Sequence, residues 1–131
     1  MPQPKRSALI VDDNETDRVL INAILKKLHF TTVQTAEDGS IGKGKLANSI
    51  DMNQPYDVVL VDWHMPKASG IELVKFLSLT LKSKKTKILM MTATADRKMI
   101  EEAIASGVDD FIIKPVEIDV LKTKLEKLFG S

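Results

Sequence analysis

Short apolar runs and amphipathic stretches alternate along the chain. Five runs predict strands, four of them continuously apolar and one β-branched. They cover Ala8–Val11, Phe30–Ala36, Val58–Val61, Ile88–Met91 and Phe111–Ile113. The stretches that follow them repeat apolar residues every three or four positions, which predicts five helices. Their apolar faces are built from Leu20, Ile21, Ile24, Leu25 and Leu28; residues within 41–50; Ile71, Val74, Leu77 and Leu81; Ile100, Ala103 and Ile104; and Ile118, Leu121, Leu125 and Leu128. This alternation predicts one α/β domain with a parallel sheet covered on both faces.

Several residues with special backbone or capping properties mark the ends of these helices. Asn14 is placed to cap the first helix, and Gly107 to end the fourth. His29 stands where a glycine cap is expected, which predicts a left-handed backbone there. Gly42 and Gly44 weaken the second helix, and we interpret them as places where it bends or packs closely. A basic run after the third helix is interpreted as a solvated surface. It consists of Lys82, Lys84, Lys85 and Lys87.

Composition narrows the possible functions without naming one. The chain has 131 residues, 44% of them hydrophobic, and a formal net charge of +1. It therefore has room for a core, and nothing in its overall charge favours nucleic acid or a membrane surface. It has no cysteine, which excludes disulfides, thiolate metal sites and a cysteine nucleophile. Its apolar runs are far shorter than the ~20 residues of a membrane span or the core of a signal peptide, so we expect a cytoplasmic protein.

Polar side chains stand directly after four of the five predicted strands. Asp12 and Asp13 follow the first strand, Asp62 the third, Thr92 the fourth and Lys114 the fifth. Open α/β sheets bind ligands at the carboxyl ends of their strands, so these side chains are expected to converge. Three carboxylates in one pocket repel one another, by about 4 kcal/mol for two charges 4 Å apart at an effective dielectric of 20.

A cation or a proton must relieve this repulsion, because one lysine compensates only one charge. An open site of oxygen ligands suits Mg²⁺. With a metal beside it, Asp62 is placed to attack phosphorus and form an acyl phosphate. Thr92 and Lys114 could then hold the phosphoryl oxygens. The pattern therefore indicates phosphoryl chemistry centred on Asp62.

The ordered set of these residues resembles the receiver domain of two-component response regulators. The resemblance rests on Asp12-Asp13, on Asp62 with Pro66 four residues later, on Thr92-Ala93 and on Lys114-Pro115. It is similar in particular to the single-domain, chemotaxis-type (CheY-like) members. The resemblance extends over 7–129, so we expect one receiver domain over 1–131. It implies a flavodoxin-like (βα)5 doubly wound sheet with strand order 2-1-3-4-5.

The resemblance also implies roles for the residues of the pocket. Asp62 would be the phosphoacceptor, with phosphate supplied by a sensor histidine kinase, a phosphotransfer protein or a small phosphodonor. Mg²⁺ would be ligated directly by Asp13, by the main-chain carbonyl of His64 and by Asp62, and through water by Asp12. Thr92 would hydrogen-bond the phosphoryl group. The domain would act on itself and would not be an enzyme.

Lys114 would form an ion pair with the same phosphoryl group, and its bond to Pro115 is expected to be cis. On phosphorylation Thr92 would move, and Phe111, otherwise a core residue of the fifth strand, would turn inward. The surface of the fourth helix, fifth strand and fifth helix would then bind a downstream protein; direct contact with nucleic acid or a membrane is not expected.

His64 and Thr94 flank the path of attacking water, and we hypothesise that they set the lifetime of the phosphorylated state.

Three alternatives remain open on the residues alone. The segment 39–46 nearly matches the phosphate loop of nucleotide hydrolases, but Leu46 replaces the hydroxyl residue that would bind Mg²⁺. An aspartyl-phosphate phosphatase of the haloacid dehalogenase type needs a second acid two residues after its nucleophile, where this chain has His64. A receiver-like interaction module that is never phosphorylated usually lacks one of the acids or the lysine, all of which are present here.

Overall fold

The computed structural model describes residues 6–65, 70–80, 86–94 and 96–130. Five strands alternate with five helices. In chain order they are β1 (Ser7–Val11), α1 (Glu15–Lys27), β2 (Thr32–Ala36), α2 (Gly39–Asp51), β3 (Val58–Asp62), α3 (Gly70–Thr80), β4 (Lys87–Thr92), α4 (Arg97–Ser106), β5 (Asp110–Ile113) and α5 (Ile118–Phe129). Pro66, Leu81, Lys82, Lys84 and Lys85 lie outside the described residues, as do the side chains of Ile71 and Leu77.

The strands form one parallel sheet in the order β2-β1-β3-β4-β5. Both the parallel pairing and the strand order that the family resemblance implied are confirmed. The register pairs Val11 with Ala36 and Val61, Asp62 with Met91, and Thr92 with Ile113. The carboxyl ends of the strands are therefore level along one edge of the sheet.

The sheet separates two apolar layers because successive strand residues point to opposite faces. We call one the α1/α5 layer, in which Ile10 and Leu60 pack with the buried side chains of α1 and α5. The other is the α2–α4 layer, in which Val61 and Met90 pack with buried residues of α2, α3 and α4. Strand β3 is buried at all five positions, as its unbroken apolar run predicted.

The local signals at helix ends are also present in the structure. Asn14 caps α1, and its side-chain oxygen accepts the backbone N–H of Asp17 at 2.9 Å. Gly107 caps the C-terminus of α4 with a φ of 120°. His29 adopts a φ of 72°, so the predicted left-handed backbone is confirmed.

Three expectations about individual positions are wrong, and a fourth is wrong in part. Leu20 and Ile104 were assigned to apolar helix faces but are 42% and 52% exposed, because each lies at the margin of the arc that the sheet covers. Lys87 was assigned to an exposed basic run but is the half-buried first residue of β4, where its backbone pairs with β3. Gly44 does not pack closely, since an added Cβ would meet nothing within 4 Å.

Gly42, in contrast, is a site of close approach. It is buried on α2, and a Cβ added there would lie 3.0 Å from one methyl carbon of Val11 and 3.5 Å from Leu73. The surrounding segment is helical from Gly39 onward, so it does not form the loop that a nucleotide hydrolase would need.

None of the described helices is both long and apolar enough to cross a membrane.

Candidate functional site

Three carboxylates meet at the carboxyl edge of the sheet. Asp12 follows β1 directly, Asp13 is next to it, and Asp62 is the last residue of β3. One oxygen from each lies within 4.8 Å of the others, so the group could hold a metal ion. Asp12 and Asp62 are buried while Asp13 is exposed, which leaves the pocket open to solvent on one side.

Backbone N–H groups orient the two buried carboxylates. Asp12 Oδ1 accepts a hydrogen bond from the Asn14 N–H at 2.9 Å, and Asp62 Oδ1 accepts one from the His64 N–H at 3.1 Å. The Asp12 backbone is fixed in turn, because its N–H donates to the Ala36 carbonyl and its own carbonyl accepts from the Arg18 guanidinium. Each of these two carboxylates therefore has one oxygen bound by the backbone and a second one facing the pocket.

Lys114 reaches into the pocket from the end of β5. Its ammonium lies 2.8 Å from Asp12 Oδ2, 2.9 Å from Asp17 Oδ2 and 3.4 Å from Asp62 Oδ2. Its backbone N–H donates to the Thr92 carbonyl at 2.8 Å, which ties the ends of β4 and β5 together. The Lys114–Pro115 peptide bond is cis, as the family resemblance implied.

The charges in this pocket shift the protonation equilibria of its buried members. Burial raises the pKa of Asp62 to about 6, and the negative charge of Asp12 acts in the same direction. The His64 N–H and the Lys114 ammonium oppose the rise without cancelling it. Burial alone would lower the pKa of Lys114, but its hydrogen bonds to Asp12 and Asp17 and the charge of Asp62 raise it, so the lysine stays charged.

Thr92 lies beside the pocket on β4 and is completely buried. Its hydroxyl donates to the Thr94 carbonyl at 2.9 Å and accepts from the Thr94 N–H at 3.2 Å. The exposed ring of His64 approaches from the opposite loop, with Nε2 3.4 Å from Thr92 Oγ1. The two predicted tuning residues are therefore both in contact with the predicted switch residue.

Phe111 lies on β5 and is half-buried against the α2–α4 layer. The Lys124 ammonium of α5 lies 4.9 Å from the centre of its ring and forms an ion pair with Asp110 at 3.1 Å. This arrangement fits the core role of Phe111 that we expected. It also places a cation of α5 against the aromatic residue expected to turn inward.

Comparison with known families identifies the family to which this fold belongs. Residues 8–126 match the model of the response regulator receiver domain. The chain belongs to the response-regulator receiver family. The match covers nearly the whole of the described structure, so the receiver assignment applies to all of the elements that build the pocket.

Two similar proteins of known name are chemotaxis proteins. It is 37% identical to the chemotaxis protein CheY of Pseudomonas aeruginosa over 121 residues, which span 92% of this chain and 94% of the relative. It is 38% identical to CheY-3 of Vibrio cholerae, over 92% of this chain and 89% of that protein. The receiver is therefore CheY-like in sequence.

Solved structures support the same fold. CheY4 of Vibrio cholerae matches with a TM-score of 0.84 and 27% identity, over 95% of this chain and 99% of that one. The Borrelia burgdorferi CheY, solved in a complex with CheX, BeF3 and Mg²⁺, matches with a TM-score of 0.86 over 95% of this chain and 89% of that one. Its sequence identity is 24%, and the likeness is one of fold.

The structure brings together every described residue that the sequence predicted for the pocket, and it adds two. Asp17 contacts Lys114, and Arg18 donates to the Asp12 carbonyl at 2.7 Å. Both lie in the first turn and a half of α1, one helical turn beyond the Asp12–Asp13 pair. Asp12 and Asp13 precede Asn14, the cap of α1, so helical periodicity gave no signal that Asp17 shares their pocket. The roles of the pocket residues remain predictions.

Proposed function

We propose that this receiver is the phosphoacceptor of a signalling relay, in which Asp62 takes a phosphoryl group in a Mg²⁺-dependent reaction. One observation carries the proposal. A buried carboxylate at the end of the central strand shares a pocket with two more acids, and its Oδ2 lies 3.4 Å from a lysine ammonium. Such a pocket provides a nucleophile, a site for a divalent cation and a cation that can pair with a phosphoryl oxygen.

The residues of the pocket fit Mg²⁺. Lys114 contacts three carboxylates, so its single charge leaves an excess of negative charge that a divalent cation would neutralise. Asp12, Asp13 and Asp62 would hold the ion, with the His64 carbonyl as the remaining protein ligand. All of the atoms that would bind the metal are oxygens, and one side of the pocket is open to solvent. Both features suit Mg²⁺, which keeps several of its waters. When bound, Mg²⁺ would neutralise charge on the phosphoryl oxygens.

Asp62 is prepared for attack through one of its two oxygens. Oδ1 is bound by the His64 N–H, so Oδ2, next to Lys114, is the oxygen available to phosphorus. A bond forms between Oδ2 and phosphorus while the bond from phosphorus to the donor's leaving atom breaks, which gives an acyl phosphate. With a pKa of about 6, Asp62 is mostly ionised at neutral pH and remains a nucleophile.

A phosphoryl group on Asp62 would compete for the Thr92 hydroxyl. At present that hydroxyl donates to the carbonyl of Thr94. A doubly charged phosphoryl group is a stronger acceptor than a peptide carbonyl. Thr92 would therefore turn towards Asp62 and leave the space that Phe111 is expected to enter.

The proposed output face lies on α4, β5 and α5. Each of these elements exposes one large aliphatic side chain: Ile104 is 52% exposed, Ile113 44% and Val120 41%. A cleft of about 360 Å³ between β5 and α5 is lined by Phe111 and Lys114 as well as by Ile113 and Val120. The face is therefore continuous with both the switch residue and the phosphoryl pocket. We propose that a downstream protein docks there, and that a histidine kinase or phosphotransfer protein supplies the phosphoryl group.

The direct test is the intact mass of the protein after incubation with acetyl phosphate and Mg²⁺. We expect one added phosphoryl group, absent when Mg²⁺ is chelated and absent in Asp62→Asn. The asparagine keeps the acceptor for the His64 N–H but is not a nucleophile, so it is a matched control. No added mass, with Mg²⁺ binding verified by calorimetry, would contradict the proposal and favour an interaction module that works without phosphorylation.

We propose that the receiver is not an enzyme, because the only acyl phosphate that it would hydrolyse is the one formed on its own Asp62; the donor's leaving group and, later, inorganic phosphate would be released. A catalytic phosphatase would turn over a substrate. Incubation with a phosphomonoester that does not phosphorylate Asp62 tests this point, because a catalytic phosphatase would hydrolyse it and a phosphoacceptor would not.

A further inference from the structure

Lys114 is shared among three carboxylates, and Asp62 is the most distant of them. Its ammonium hydrogen-bonds to Asp12 at 2.8 Å and to Asp17 at 2.9 Å, whereas Asp62 Oδ2 lies at 3.4 Å. A lysine ammonium has only three N–H donors. Two of them are therefore engaged away from the atom at which a phosphoryl group would form.

Asp17 is held in place to make this contact. Its backbone N–H donates to the side chain of Asn14, the cap of α1, which fixes the first turn of the helix. The side chain of Asp17 is 31% exposed and that of Lys114 is 15% exposed. The pair is thus better shielded from solvent than an ordinary surface ion pair, and its attraction is screened less.

We propose that Asp17 is a positioning residue, which holds the Lys114 ammonium away from Asp62 and so weakens the affinity of the pocket for a phosphoryl group. The inference rests on the proposed function. To pair with a phosphoryl oxygen, Lys114 must give up or lengthen its hydrogen bond to Asp17. Because the coupling is reciprocal, phosphorylation would in turn loosen Lys114 from α1.

The test uses Asp17→Asn and the phosphoryl analogue BeF3⁻. In saturating Mg²⁺, with Mg²⁺ affinity measured separately, we expect Asp17→Asn to bind BeF3⁻ about threefold to tenfold more tightly than the unmodified protein, as for loss of one charged hydrogen bond. Fluorescence of Trp63, which directly follows Asp62, reports the binding. Phosphorylation by acetyl phosphate should accelerate by a similar factor. Asp17→Glu, which keeps the charge, should stay close to the unmodified protein.

Two controls separate positioning from charge and from folding. Glu15→Gln removes a carboxylate from the same helical turn, where it is exposed, and should leave BeF3⁻ affinity unchanged. In a Lys114→Met background, Asp17→Asn should have no further effect, because the residue acts through the lysine. Circular dichroism of each variant verifies that it is folded, and Asp17→Ala repeats the measurement with a second side chain.

Each other outcome overturns the inference. Weaker or unchanged BeF3⁻ binding in Asp17→Asn would mean that Asp17 guides the lysine towards Asp62 or does not affect it. Equal tightening with and without Lys114 would mean that Asp17 acts only by its charge on the pocket. If the unmodified protein binds Mg²⁺ but neither BeF3⁻ nor phosphate, the proposed function fails first, and this inference fails with it.

Discussion

Replacing Asp62 by asparagine should stabilise the protein at neutral pH. The ionised carboxylate of Asp62 is buried, with only 8% of its side chain exposed, and it lies next to Asp12. Asparagine has the same shape, and its carbonyl can still accept the His64 N–H that now binds Oδ1. The substitution therefore removes a buried charge and preserves the packing around it.

The shift in pKa gives the size of the effect. Burial and Asp12 raise the pKa of Asp62 from 3.8 to about 6. At about 1.4 kcal/mol for each factor of ten in proton affinity, this corresponds to about 3 kcal/mol. Because the folded pKa is the higher one, ionisation of Asp62 favours the unfolded chain. The penalty is complete above about pH 7, shrinks as the pH falls through 6, and disappears below 3.8.

Urea unfolding at a series of pH values, followed by far-UV circular dichroism in the presence of EDTA, measures this difference. We expect Asp62→Asn to raise the free energy of unfolding by about 3 kcal/mol at pH 7.5 and by about 1 kcal/mol at pH 4.5. The comparison is made between variants at each pH, because other groups also titrate in this range. Asp13→Asn removes a charge from the same cluster at an exposed position and should give a smaller gain.

Two results would refute this reasoning. A loss of stability in Asp62→Asn at pH 7.5 would mean that the ion pair with Lys114 outweighs the cost of burial. A gain of the same size at pH 4.5 and pH 7.5 would mean that the substitution improves packing or hydrogen bonding and that the carboxylate charge is irrelevant.

Two further predictions concern a glycine pair and the lifetime of the phosphorylated state. Gly42→Ala should lower the free energy of unfolding by about 1 kcal/mol, because overpacking against Val11 outweighs the gain in helix propensity. Gly44 has open space around it, so Gly44→Ala should raise the free energy of unfolding by about 1 kcal/mol. Equal urea midpoints for the two variants would contradict this. His64→Asn and Thr94→Ala should each speed the loss of phosphate from the protein severalfold, because each removes side-chain atoms beside the proposed path of attacking water: the His64 ring lies against Thr92, and the Thr94 side chain is exposed next to it. Unchanged decay of the phosphorylated mass would contradict this.

Much of the fold could be predicted because the strands have a simple pattern. The unbroken run Val58–Val61 predicts a strand buried on both faces, and in the structure all five residues of β3 are buried. The position of Asp62 at the end of that run predicts an edge site, since parallel strands present their carboxyl ends on one side. The order of the strands has no such local signal. It came from the family resemblance.

The sequence could not predict the pairing of Asp17 with Lys114. The two residues are 97 positions apart, and their contact depends on how α1 lies against the end of β5. Helical periodicity identifies the apolar face of a helix, but it does not show how much of that face the sheet covers. Leu20 and Ile104 were placed on apolar faces for that reason and are exposed.

Successive residues of a strand point to opposite layers of the sheet. The number of residues in each strand therefore determines which layer the side chain at its end faces. Asp62 lies two residues after Leu60 and is on the side of the sheet that faces the α1/α5 layer. Thr92 lies two residues after Met90 and is on the side that faces the α2–α4 layer. One residue inserted within β4 would send Thr92 to the opposite side of the sheet and carry its hydroxyl away from the Phe111 side. Inside a strand, a shift of a single residue would therefore separate the pocket from the surface it is proposed to control.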